Sequence, residues 1–198
     1  MIYATFMYLS HNEGASPKEK RAAESEAARE LLKALYLHVF KENLPKILKN
    51  ETGKPFLDGE NSHPISISHS AGAVAVAVSD ENSPIGIDVE EKISEDVASR
   101  IQKRFPFIKK RDFSPINDIT LFEAKSTANI SFKEISLTPT NQDCFGFYWT
   151  ACESVLKAEG GGLASHEKLD CFEKSCEVSS FLINDFYLSV SKINTDCK

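Results

Sequence analysis

The chain has 198 residues, 41% apolar and 26% charged, with a formal net charge of −6. That length fits one large domain or two small ones packed together, and no apolar run is long enough for a membrane span. The acidic balance argues against a general nucleic-acid binder, which would carry a basic surplus.

Met1 to Leu9 has no basic flank and no small-residue cleavage site, so it reads as a first strand and not a signal peptide. Residues 16–40 read as a long helix: Ser16 is the N-cap, Pro17 suits the first helical position and Glu19 completes a capping box. Ala28, Leu31, Leu32, Leu35 and Val39 recur at helical spacing on its core face. Gly53-Lys-Pro55 and Asp58-Gly59 punctuate a loop. Residues 65–90 predict a three-stranded meander packed on the first helix, with turns at Ala71-Gly72 and at Asp80 to Pro84. Ser94 to Phe105 reads as a second helix, and Trp149 to Glu159 as a third stopped by Gly160-Gly-Gly162. Between them, 112–147 is polar and weakly patterned, with a β-like run from Ile130 to Leu137. Ser180 to Ile183 and Phe186 to Val190 predict a hairpin across Asn184-Asp185. The order suggests an α+β fold of two similar halves.

Cysteines 144, 152, 171, 176 and 197 form an odd set without a C-x-x-C pair. Free thiols in a reducing cytoplasm are expected, and a structural zinc site is not. Lys103, Arg104, Lys109, Lys110 and Arg111 form a basic cluster, either a solvated face or a dock for an acidic partner.

The segment Ile85-Gly-Ile-Asp-Val-Glu90 carries the most chemistry. On a strand, Ile85, Ile87 and Val89 face the core while Gly86, Asp88 and Glu90 face the other way. The two acids then lie roughly 6–7 Å apart at their backbones. A cation between them removes their repulsion, and hard oxygen donors suit Mg²⁺. Gly86 leaves room on that face for a ligand. The plainer alternative is a polar face that merely alternates. Glu153 and Lys157 share a face of the third helix, either as an ordinary i,i+4 pair or as a metal ligand beside a phosphate clamp. Ser66-Ile-Ser-His-Ser70 sets His69 between hydroxyls at a strand end, a place for phosphate or an ordinary turn; Lys54 is either a point charge for phosphate or solvated. No Walker loop, G-x-G-x-x-G, G-x-S-x-G or H-E-x-x-H is present, and His166-Glu167 lacks the second histidine.

Taken in order, Gly53-Lys-Pro55, Ile65-Ser-Ile-Ser-His-Ser70, Ile85-Gly-Ile-Asp-Val-Glu90 and Trp149-Thr-x-x-Glu-Ser-x-x-Lys157 with Gly160-x-Gly-Leu163 resemble the 4′-phosphopantetheinyl transferases of the surfactin-synthetase-activating type. The resemblance implies two pseudo-symmetric α+β halves, residues 1–91 and 92–198, with the active site in the cleft between them. It implies Mg²⁺-dependent transfer of phosphopantetheine from coenzyme A to a serine of an apo acyl- or peptidyl-carrier protein, releasing adenosine 3′,5′-bisphosphate. Asp88, Glu90 and Glu153 would hold Mg²⁺, for which Mn²⁺ could substitute. Glu153 would orient or deprotonate the serine, and Lys157 would meet the pyrophosphate. Lys54, Pro55, Ser68, His69, Ser70 and, on a looser match, Arg29 would bind the cofactor's adenosine-phosphate end. A cytoplasmic monomer is expected, serving fatty-acid, polyketide or peptide synthesis, with no nucleic-acid or membrane partner.

Cys152 and Gly161 stand where the family usually has lysines, and 112–147 matches no family motif. Two competing readings follow: a degenerate relative that binds coenzyme A or a carrier without turnover, and another metal-dependent phosphoesterase.

Overall fold

The computed structural model describes residues 1–9, 14–59, 62–126, 129–140, 143–172 and 175–194. Strand β1 (Ile2–Tyr8) leads to helix α1 (Pro17–Phe40), followed by β2 (Ile47–Lys49), β3 (Pro55–Leu57), β4 (Ile65–Ser70), β5 (Ala73–Ser79) and β6 (Ile85–Glu91). Then come α2 (Glu95–Arg104), β7 (Ile119–Ser126), β8 (Ile130–Ile135) and α3 (Phe145–Glu159). A 3-10 segment (Gly162–Lys168), the short α4 (Leu169–Phe172), β9 (Cys176–Ile183) and β10 (Phe186–Ile193) close the described chain.

α1 begins where its sequence signals it. The Ser16 hydroxyl accepts from the Glu19 N–H, while the Glu19 carboxylate accepts from the Ser16 N–H at 2.8 Å. Each bond satisfies an N–H that the first helical turn leaves without a partner. Ala28, Leu31, Leu32 and Leu35 are fully buried against Ile65, Val74, Val76 and Val78.

Five strands form one sheet in the order β4-β5-β1-β7-β8, with β1 parallel to β7 and antiparallel to β5. A second sheet has the order β6-β10-β9, and β2 and β3 make a separate hairpin. The expected meander through 65–90 is therefore corrected. β4 and β5 pair, but β6 does not join them: β1 and β4 occupy both edges of β5, and β6 pairs instead with β10, Asp88 opposite Ser189. The loop expected around Gly53-Lys-Pro55 is a turn that feeds β3. α3 begins at Phe145, four residues before the expected Trp149, because its N-cap Cys144 makes no side-chain cap bond that would mark the start. In 112–147 the structure adds β7, which extends the five-stranded sheet beside β1.

The layers are stacked in the order α1, five-stranded sheet, three-stranded sheet, α3. Alternation along the strands divides the cores. Val74, Val76 and Val78 face α1, while Ala73, Ala75 and Ala77 face Ile85, Ile87 and Val89 across the sheet–sheet contact. On the far side of the second sheet, Gly86 meets α3 so closely that an added Cβ would lie 1.8 Å from the Ser154 carbonyl oxygen. The room expected there for a ligand is filled by the helix backbone. The hairpin across Asn184-Asp185 is present, with Asn184 in the left-handed region at φ 53°. Cys144, Cys152 and Cys176 are free thiols; the side chain of Cys171 and all of Cys197 lie outside the described part of the chain. No helix among the described residues is long and apolar enough to cross a membrane.

Candidate active site

β6 and α3 bring Asp88 and Lys157 into contact. The odd-numbered apolar residues of β6 are held in the core, which turns Asp88 to the α3 side. There the Lys157 ammonium donates to Asp88 Oδ1 at 2.6 Å and to the Ser68 hydroxyl at 2.8 Å. Ser68 in turn donates to Asp88 Oδ1 at 2.9 Å. Asp88 Oδ2 is buried and has no hydrogen-bond partner. A buried carboxylate oxygen with unused lone pairs is costly, and it is the kind of group a cation or incoming donor satisfies.

Glu90 accepts from the Ser70 hydroxyl at 2.6 Å. Burial raises its carboxyl pKa, as does the charge of Asp88; Ser70, Lys157 and Trp149 pull the other way. Glu153 is pushed up to about 7, first by burial, then by the charge of Asp88, with Glu90 adding to it and Lys157 opposing. The sharing of one electrostatic environment by these acids is what the spacing of Glu153 alone could not establish. Lys157 is part of the same network and not merely an i,i+4 partner of Glu153. Among the described residues, no group of three or more His, Cys, Asp or Glu side chains is arranged to hold a metal ion as it stands. The donor set nevertheless suits a hard divalent cation: its oxygens are carboxylates, and Asp88 Oδ2 is unbonded.

Beside this network lies a cleft of about 230 Å³, bordered by Gly53, Lys54, Pro55, Ser66, Lys157, Gly160 and Gly162 among others. Burial lowers the Lys54 ammonium to about 8, partly offset by the charge of Glu159, and Lys54 donates to the Ala158 carbonyl near the C-terminus of α3. Gly160, at φ 102°, ends that helix in the left-handed conformation and carries the chain past the aliphatic part of Lys54.

The expected phosphate-binding set divides between two faces of β4. Ser66, Ser68 and Ser70 face β6, whereas Ile65, Ile67 and His69 face α1. His69 is held there at both ring nitrogens, Nδ1 at 3.1 Å from Glu24 Oε2 and Nε2 at 3.2 Å from the Ser25 hydroxyl. Glu24 also accepts from the Gly72 N–H at 2.8 Å, tying the β4–β5 turn to α1. Arg29 is exposed one helical turn beyond Ser25.

Two residues of the site carried no assigned role in the sequence reading. Trp149 favours the ionised form of Glu90, against the raising effect of burial. Ser66 accepts from the Ile87 N–H at 3.0 Å, joining β4 to the free edge of β6. The period-2 recurrence of serine in 66–70 was the available signal for this second feature.

Cys152 and Gly161, where the sequence departs from the motifs it resembles, have defined surroundings. Cys152 is buried beside Arg111, its thiol pushed up to about 11 by burial despite the neighbouring guanidinium. A Cβ at Gly161 would lie 2.5 Å from the Ser165 hydroxyl and 2.7 Å from Glu159 Oε2. Lys109 and Arg111 of the basic cluster approach Asp170 at 3.9 and 2.6 Å, and Lys110 approaches Asp143 at 3.6 Å. The chain matches no protein-family model and no curated protein.

Proposed function

We propose that the protein is a Mg²⁺-dependent 4′-phosphopantetheinyl transferase, built as two pseudo-symmetric halves, that modifies an acyl- or peptidyl-carrier protein in the cytoplasm. The observation that carries this reading is the meeting of Asp88 with Lys157 at 2.6 Å, beside Glu90 and a Glu153 carboxyl raised to about 7. Those residues come from separate motifs whose joint appearance is the mark of the family they resemble.

Coenzyme A would lie along the cleft, with Lys54 and Pro55 at its wall and Lys157 offering positive charge to the pyrophosphate. Arg29 and His69, on the α1 side of β4, are the remaining proposed contacts for the adenosine-phosphate end. A divalent cation held by Asp88, Glu90 and Glu153 would neutralise charge developing on the leaving phosphate. Glu153 would orient the carrier serine or take its proton as the hydroxyl oxygen attacks the β-phosphorus. The phosphoanhydride bond then breaks and adenosine 3′,5′-bisphosphate leaves.

The competing reading, a degenerate binder, rests on Cys152 and Gly161 in place of lysines. Incubation with apo-carrier protein, coenzyme A and Mg²⁺ separates the two. Transfer adds the phosphopantetheine mass to the carrier; coenzyme A binding with no increment on any of several apo-carriers would sink the enzyme reading.

A further inference from the structure

β4 and β6 belong to different sheets, and side chains bridge their edges. Ser66 accepts the Ile87 N–H at 3.0 Å and Ser68 accepts the Val89 N–H at 3.3 Å, so hydroxyls stand where a neighbouring strand would offer carbonyls. The same serine row then reaches the acids: Ser68 donates to Asp88 Oδ1 at 2.9 Å and Ser70 to Glu90 Oε2 at 2.6 Å.

A serine hydroxyl has one proton to donate and two lone pairs that accept. At Ser68 all three are engaged, by Asp88, by the Val89 N–H and by the Lys157 ammonium at 2.8 Å. The single proton of Ser70 is on Glu90. An ionised phosphate ester offers only acceptors, so it could take either proton only by depriving a carboxylate of its donor. On Asp88 the arrangement also selects an oxygen. Ser68 and Lys157 both bind Oδ1, leaving the buried Oδ2 unbonded.

We infer that Ser68 and Ser70 are positioning residues for the acids of β6, fixing which carboxylate oxygens are presented to a divalent cation, and are not donors to the phosphates of the coenzyme. The inference rests on the proposed reading of Asp88 and Glu90 as metal ligands. It makes the serine row both the seam between the sheets and the outer support of the cation site, the kind of support that orients ligating carboxylates.

The test uses the full chain without carrier or coenzyme. Mn²⁺ affinity is read from the electron paramagnetic resonance of the free ion, and affinity for adenosine 3′,5′-bisphosphate, without metal, by calorimetry. Ser68→Ala and Ser70→Ala are expected to weaken Mn²⁺ binding by about ten-fold or more, the usual effect of removing such a support. Both should leave nucleotide affinity unchanged. Ser70→Thr, which keeps the hydroxyl, should restore Mn²⁺ binding. Ser66→Ala removes a seam bond that touches no acid, and should lower thermal stability while keeping Mn²⁺ affinity. Should Ser68→Ala fail to fold, Ser70→Ala decides alone, since its hydroxyl bonds no backbone N–H. Wild-type Mn²⁺ affinity in Ser70→Ala, or any loss of nucleotide affinity there, overturns the inference while leaving the metal site standing. A wild-type chain that binds no Mn²⁺ overturns both.

Discussion

Lys157 and Asp88 form their pair with unequal exposure: the lysine side chain is 30% exposed and the aspartate 4%. Removing one partner is therefore not equivalent to removing the other. Lys157→Ala leaves a buried carboxylate unpaired and is expected to cost about 3–5 kcal/mol of stability. Asp88→Ala leaves an ammonium that water can reach, so that variant should melt well above Lys157→Ala in a thermal scan. Glu153 gives a pH signature. Its folded pKa of about 7 lies above the ordinary glutamate value, so the folded state holds the proton more tightly than the unfolded chain. Stability should fall as pH rises from about 4.5 to about 7, and Glu153→Gln should flatten that slope in denaturant titrations. A variant slope equal to the wild-type slope would contradict the raised carboxyl. Placing a lysine at 152, as in the family that the sequence resembles, has its own consequence. Cys152 is buried beside Arg111, so Cys152→Lys brings two cations together away from water. A loss of at least about 2 kcal/mol in chemical denaturation is expected, instead of a gain in function.

At the scale of elements, legibility followed local signals. α1 was readable to its first residue because Ser16, Pro17 and Glu19 each have a defined place in a helix start, and the last hairpin because Asn184 tolerates a left-handed turn. β6 was readable as a strand but not as a partner of β10, since alternation fixes which side chains share a face and says nothing about which distant edge is vacant. β7 was missed for a different reason: Leu121, Phe122 and Ala124 are all buried, so the strand is apolar on both faces and loses the period-2 signal. Gly86 shows the limit at one residue. A missing side chain signals close approach, but only the structure identifies the neighbour as the α3 backbone. Gly86→Ala should accordingly force α3 from β6, lowering stability by about 1–3 kcal/mol and moving Glu153 and Lys157 away from Asp88. Unchanged melting and unchanged Mn²⁺ binding in Gly86→Ala would contradict this packing.

Over the whole molecule, the site depends on chain-distant exchange. β6 leaves the strands that precede it to join β9 and β10, while β7 and β8 extend the sheet that contains β1. A boundary at residue 91 thus falls between two stretches that each contribute strands to both sheets. The carboxylates were visible in the sequence as residues, but Asp88 and Lys157 are brought into contact by the packing of α3 on the second sheet. Charge is also arranged at this scale. The net charge is −6, and three cations of the basic cluster are already near Asp143 or Asp170, leaving Lys103 and Arg104 as its part without such an ion pair among those described. An acidic partner would meet that end of α2 more readily than the rest of the cluster.

The role proposed for Asp88 is in phosphopantetheine transfer to a carrier serine. It is tested most directly by intact-mass measurement of an apo-carrier incubated with coenzyme A and Mg²⁺, using the wild type and Asp88→Ala side by side. Conversion of the carrier by the wild type is expected, with a rate at least about 100-fold lower for Asp88→Ala; an unmodified carrier with the wild type, or equal conversion by both proteins, would overturn that role.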